Sequence, residues 1–159
     1  MIKLLFLLIL FFPIRFYALE IKCDFEEVYP DGKTQQGFFL VKDQKLRYEY
    51  HNENLFTIFS KNDDFFIVNK NNTNNFQKVQ TDTSYIKELL TIASQYPDIN
   101  NYYEKDSLII NLEPSSNGFY KRISILSDNL KISIFLNNCK FLSFHNRFYN
   151  YSPYFEFIE

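Results

Sequence analysis

Tryptophan is absent from this chain of 159 residues, glycine occurs three times, and cysteine and histidine are nearly missing. Three scattered glycines form no glycine-rich loop that could cradle a phosphate. Cys23, His51, Cys139 and His145 show none of the short ligand spacings of a zinc site. Cys139 and His145 could share one strand face by their even spacing, which keeps a mixed Cys–His site as a remote alternative. The expectation is no metal and no cofactor. Ser143 and His145 stand close together, but without a nucleophile elbow or an assignable acid, so the chain is not expected to be an enzyme. Basic residues do not outnumber acidic ones (17 against 19), and the lysines do not cluster. That excludes the basic face by which proteins hold nucleic acid.

Large apolar side chains fill the space left by these absences. Hydrophobic residues make up 46% and aromatics 19%, with nineteen Phe and twelve Tyr. One domain of this length has ample material for a core, and the excess of large β-formers favours strands over helices.

Lys3 gives a short positive start, and Leu4 to Ile14 carries no polar side chain. As a helix that run rises only about 16 Å, against a hydrocarbon layer of about 30 Å. The length suits the core of an export signal, with residues 1–18 removed after Ala18; retention as an N-terminal anchor is the alternative. Lys22 beside Cys23 is wrong for lipid attachment to that cysteine. Removal of Lys3 and Arg15 takes the formal charge from −2 to −4.

The remainder reads as short strands divided by turn residues. They fall at Ile21–Tyr29, Gly37–Val41, Lys45–His51, Leu55–Ser60, Phe65–Asn69 and Phe76–Val79, then Ser107–Leu112, Phe119–Leu126, Leu130–Leu136, Lys140–Asn146 and Tyr154–Ile158. In the third, Leu46, Tyr48 and Tyr50 share a face opposite Arg47 and Glu49, the alternation of a half-buried strand. The run from Asn71 to Asn75 reads as a turn or solvated loop. Helical spacing over Thr83–Gln95, with Ser84 as N-cap and Pro97 beyond the end, interrupts the series once. Short connections imply hairpins, hence an antiparallel meander. The expected class is mainly β, with a minor α component.

Several strands are apolar on both faces, for example Phe38 and Leu40 against Phe39 and Val41. A sheet wetted on one side needs one such face. Either a second layer covers the other, or the sheet curves around a hollow lined for an apolar guest. An even cysteine count in an exported chain suggests a Cys23–Cys139 disulfide, with two buried thiols as the alternative. Glu26-Glu27 and Asp63-Asp64 read as solvated edges and turns. The sequons at Asn71 and Asn150 carry little weight in a bacterial host.

The order Gly37-Phe38-Phe39-Leu40-Val41-Lys42, Leu46-Arg47-Tyr48-Glu49-Tyr50 and Phe59–Asn69, then Leu89-Leu90 in a helix and Asp106–Pro114 before Ile123-Ser124-Ile125, resembles the periplasmic outer-membrane lipoprotein carrier (LolA-like) family. The resemblance spans most of Ile21–Phe157 and contains no single specific motif. It implies one antiparallel curved sheet, an open or half β-barrel over residues 19–159, with one or two covering helices. It also implies an apolar cavity for the acyl chains of lipoproteins or other lipids. Leu40, Tyr48, Tyr50, Phe65, Leu90 and Ile92 would line that cavity. A monomer in the periplasm would receive cargo from an inner-membrane donor complex and pass it to an outer-membrane acceptor. A non-transporting interaction or sensor module on the same scaffold is the alternative. Three departures stand out. The leading helix of the family is replaced by a strand starting at Ile21, Asp43-Gln44 occupies the place of its basic latch and proline, and its extended C-terminal tail is missing.

Overall fold

Alternation over Ile21–Val28 builds the central strand, β1: Ile21, Cys23, Phe25 and Glu27 are buried on one face, while the residues between them are half-exposed. The computed structural model describes residues 20–61, 64–69, 72–79 and 84–149. Five hairpin-linked strands extend the sheet on one side of β1: β2 (Thr34–Lys42), β3 (Lys45–Tyr50), β4 (Phe56–Lys61), β5 (Asp64–Asn69) and β6 (Asn72–Lys78). The chain then passes through helix α1 (Ser84–Ser94) to the opposite edge. There it builds β7 (Tyr102–Lys105), β8 (Leu108–Pro114), β9 (Tyr120–Leu126) and β10 (Lys131–Phe141), which returns to pair with β1. All pairings are antiparallel, in the order β6-β5-β4-β3-β2-β1-β10-β9-β8-β7. The sheet is not closed into a barrel.

The class expected from sequence is therefore observed, and three boundaries differ. The asparagine run is not a loop, because Asn72 begins β6 and pairs with Asn69. Tyr102–Lys105 is a strand that its charged residues concealed. The two strands expected around Asn137-Asn138 are one, β10, broken only by a bulge. Lys22 pairs with Lys140 and Asp24 with Asn137, so Cys23 faces two residues of β10. Asn138 absorbs the extra residue at φ 52°, a conformation that asparagine tolerates. The strand expected at Tyr154–Ile158 lies outside the described residues, as does the export segment.

Two observations show that the sheet curls. A flat sheet would hold β4 and β8 about 29 Å apart at ordinary strand spacing. Yet Ile58 of β4 and Ile110 of β8 line one cavity. Helix α1 also touches both halves: Leu90 and Ala93 pack in the cluster around Cys23, Phe39 and Tyr96, and Leu89 and Ile92 pack against Leu108, Ile110 and Ile125. Burying side chains of this size contributes about 1.5–3 kcal/mol each.

On the convex face, Phe38 and Leu40 are covered by Tyr149 of a 3-10 turn at Asn146–Tyr149, with Phe144 and Phe148 beside it. Polar bonds fix this cover. Arg47 donates to the Phe148 carbonyl at 3.1 Å and pairs with Glu49 at 2.6 Å. Glu20 accepts from the backbone N–H of Phe144 and pairs with Lys42. Among the described residues no helix is long and apolar enough to cross a membrane.

Candidate functional site

The concave face and α1 enclose a cavity of about 180 Å³. Strands β1, β2, β3, β4, β8, β9 and β10 supply its wall, and α1 with the following turn closes it. The helix is held at its far side by modest bonds. Glu88 pairs with Lys105 at 2.7 Å, an exposed ion pair. Tyr120 donates to the Ile99 carbonyl at 2.6 Å, and the Tyr96 hydroxyl accepts from the Tyr120 backbone N–H at 3.0 Å. An exposed pair of this kind contributes about 0–1 kcal/mol.

Four of the six residues expected to line a cavity do so: Tyr48, Tyr50, Leu90 and Ile92. Leu40 does not. It is fully buried on the convex face with Phe38 and Tyr149, and its neighbour Phe39 takes the cavity position. Register gives the reason. Asp43 and Gln44, at φ 47° and 64°, form a two-residue turn that pairs Lys42 with Lys45 and hence Phe39 with Tyr48. Residues directly opposite in an antiparallel pair share a face, so Leu40 shares its face with Arg47. Phe65 is on the concave side but is packed in the core cluster with Val79, away from the cavity wall.

The wall is apolar but for three phenol groups and one carboxylate, Glu27. Sequence reading took Glu27 for a solvated edge; it is only 4% exposed. Its signal was present, since Glu27 continues the buried register of Ile21, Cys23 and Phe25. Three tyrosines converge on it. Tyr48 donates to Oε1 at 2.7 Å, Tyr29 to Oε2 at 2.6 Å, and Tyr50 lies 3.0 and 3.1 Å from the two oxygens. Burial first, and the neighbouring carboxylate second, hold the Tyr48 phenol well above its usual range and raise that of Tyr50. Burial also raises Tyr96, to about 12. Glu26, the adjacent carboxylate, is turned outward and accepts from the Gln36 amide at 3.3 Å.

Aromatic stacking holds the tyrosines in place. Phe25 lies flat on Tyr48 with ring centres 4.1 Å apart and meets Tyr50 edge-on at 5.5 Å. Gly37 makes room for this stack: a Cβ there would fall 2.5 Å from Phe25 Cζ and 2.0 Å from the Glu49 carbonyl oxygen.

Cys23 and Cys139 form a disulfide, joining β1 to β10 across the bulge. Such a bond is consistent with an oxidising compartment. Ser143 and His145 are exposed, and among the described residues no group of three or more His, Cys, Asp or Glu is placed to hold a metal ion. No family model matches the chain, and a search of curated proteins finds no match.

Proposed function

We propose that this protein is an exported carrier that takes up the acyl chain of a lipoprotein or another lipid in the periplasm. One observation carries the reading: the curled, unclosed sheet keeps an apolar cavity of about 180 Å³ beneath a single helix. A hollow of about 150 Å³ lined by Leu, Ile and Phe stays dry and accepts benzene. By that comparison the present cavity receives a segment of about six carbons. At about 0.8 kcal/mol per methylene, that segment contributes about 5 kcal/mol before ordering costs.

A full-length tail requires more room, and α1 is the element that can provide it. Its polar ties to β7 run through Glu88, which pairs with the exposed Lys105 and hydrogen-bonds Tyr103, and a surface pair of this kind is weak enough for the helix to move outward. Asp43-Gln44 forms a turn in place of a basic latch, so the loading cycle implied by the resemblance is not part of this reading. Native mass spectrometry of protein extracted from the periplasm without detergent tests the proposal. Co-purifying acylated species are expected. An empty protein that instead retains one protein complex would replace the carrier with an interaction module.

A further inference from the structure

A buried carboxylate is a costly feature in a cavity meant only for hydrocarbon. Glu27 is 4% exposed, and the hydrogen bonds it accepts come from phenols rather than from a lysine or arginine. Its negative charge is therefore solvated but not neutralised. The Tyr50 hydroxyl is shared between both oxygens, so its single proton is divided between them, and Glu27 stands on the cavity wall where a guest's donor can compete for that shared position.

We propose that Glu27 makes the cavity selective for single-chain amphiphiles with a primary-amine head group, and against free fatty acids. This inference rests on the reading of the cavity as an acyl-chain site. The apolar wall takes the tail without regard to the head. The head is then read by charge: an ammonium brings donors and a compensating charge to the carboxylate, whereas a second carboxylate meets like charge in a place poor in water. At an effective dielectric constant near 20, two like charges roughly 6 Å apart disfavour binding by about a hundredfold. Structural relaxation reduces this, so tenfold or more is the expected discrimination.

The experiment is displacement of a neutral naphthylamine dye at pH 7 by decylamine, decanol and decanoate, using the full mature chain. Decylamine is expected to displace the dye at the lowest concentration, decanol next, and decanoate at least tenfold less well than decylamine. Glu27→Gln should bring decylamine and decanoate within about threefold of each other. Circular dichroism monitors whether that variant keeps its sheet. Should it unfold, Tyr29→Phe, which removes one donor from the half-exposed side of the cluster, should widen the gap between decylamine and decanoate. Equal displacement by decylamine and decanoate in the native protein would overturn the inference while leaving the acyl-chain reading standing. Failure of the dye and of all three compounds to bind would overturn both.

Discussion

Ala93→Phe separates the cavity from the stability of the fold. Ala93 sits on α1 with its side chain on the cavity wall. A phenyl ring added there amounts to a benzene molecule built into the hollow, and a benzene fits a space of about 150 Å³. The space available is about 180 Å³. Burying the ring contributes about 1.5–3 kcal/mol, and crowding against Phe39 and Tyr96 costs about 1–3 kcal/mol, so the net change in stability is small. Binding should respond differently, because the added ring occupies the space for the guest. The assays are a urea melt by circular dichroism and titration with the naphthylamine dye. The expected result is an unfolding midpoint close to that of the native chain, with dye affinity reduced at least tenfold. A variant that folds normally and binds the dye as before would refute the reasoning, since the guest would then lie elsewhere.

Gly37→Ala should lower the melting temperature by roughly 5–10 °C, because its Cβ meets backbone and the Phe25 ring and so costs about 3 kcal/mol; an unchanged melt would contradict the packing described. Replacing Cys23 and Cys139 together by Ala opens a loop of 116 residues and should cost about 4–5 kcal/mol on a chain-entropy argument, read as a lower urea midpoint. A loss below 1 kcal/mol would show that the sheet pairing of β1 and β10 alone carries the closure. Raising the pH tests the buried phenols. Folded Tyr48, Tyr50 and Tyr96 hold their protons more tightly than unfolded tyrosine, so their contribution is complete below pH 10 and falls as pH rises above it, that of Tyr96 being lost through about 12 and that of Tyr48 and Tyr50 still falling beyond. Tyrosinate absorbance from these residues should therefore appear together with loss of sheet signal, and ionisation with the sheet intact would refute it.

How much of this was legible depended on the strand. In β3 a polar face opposes an apolar one, so the concave positions of Tyr48 and Tyr50 follow from alternation alone. In β2, Phe38 to Val41 are all apolar, and periodicity cannot choose between Leu40 and Phe39; the turn at Asp43-Gln44 chooses, through register. Helical spacing placed Leu90 and Ile92 correctly because a stripe at that period has one buried side. Glu27 was hidden by its chemistry. A carboxylate reads as solvated unless the positions two and four residues before it are followed along the same face. Its tyrosine partners come from β3 and from the turn after β1, contacts that pairing determines and composition does not. The bulge at Asn138 was likewise mistaken for a turn, since asparagine suits both.

The account depends on a hydrocarbon chain entering the space between α1 and the sheet. Isoleucine methyl groups mark that space: Ile58, Ile92, Ile99, Ile110, Ile123, Ile125, Ile132 and Ile134 line it, whereas Ile21 is fully buried in the core away from its wall. Methyl-labelled isoleucine observed by NMR during titration with decanol therefore tests the claim directly. Saturable shifts among these eight lining residues, with Ile21 unmoved, are predicted. Shifts confined to other positions, or none at millimolar decanol, would contradict it.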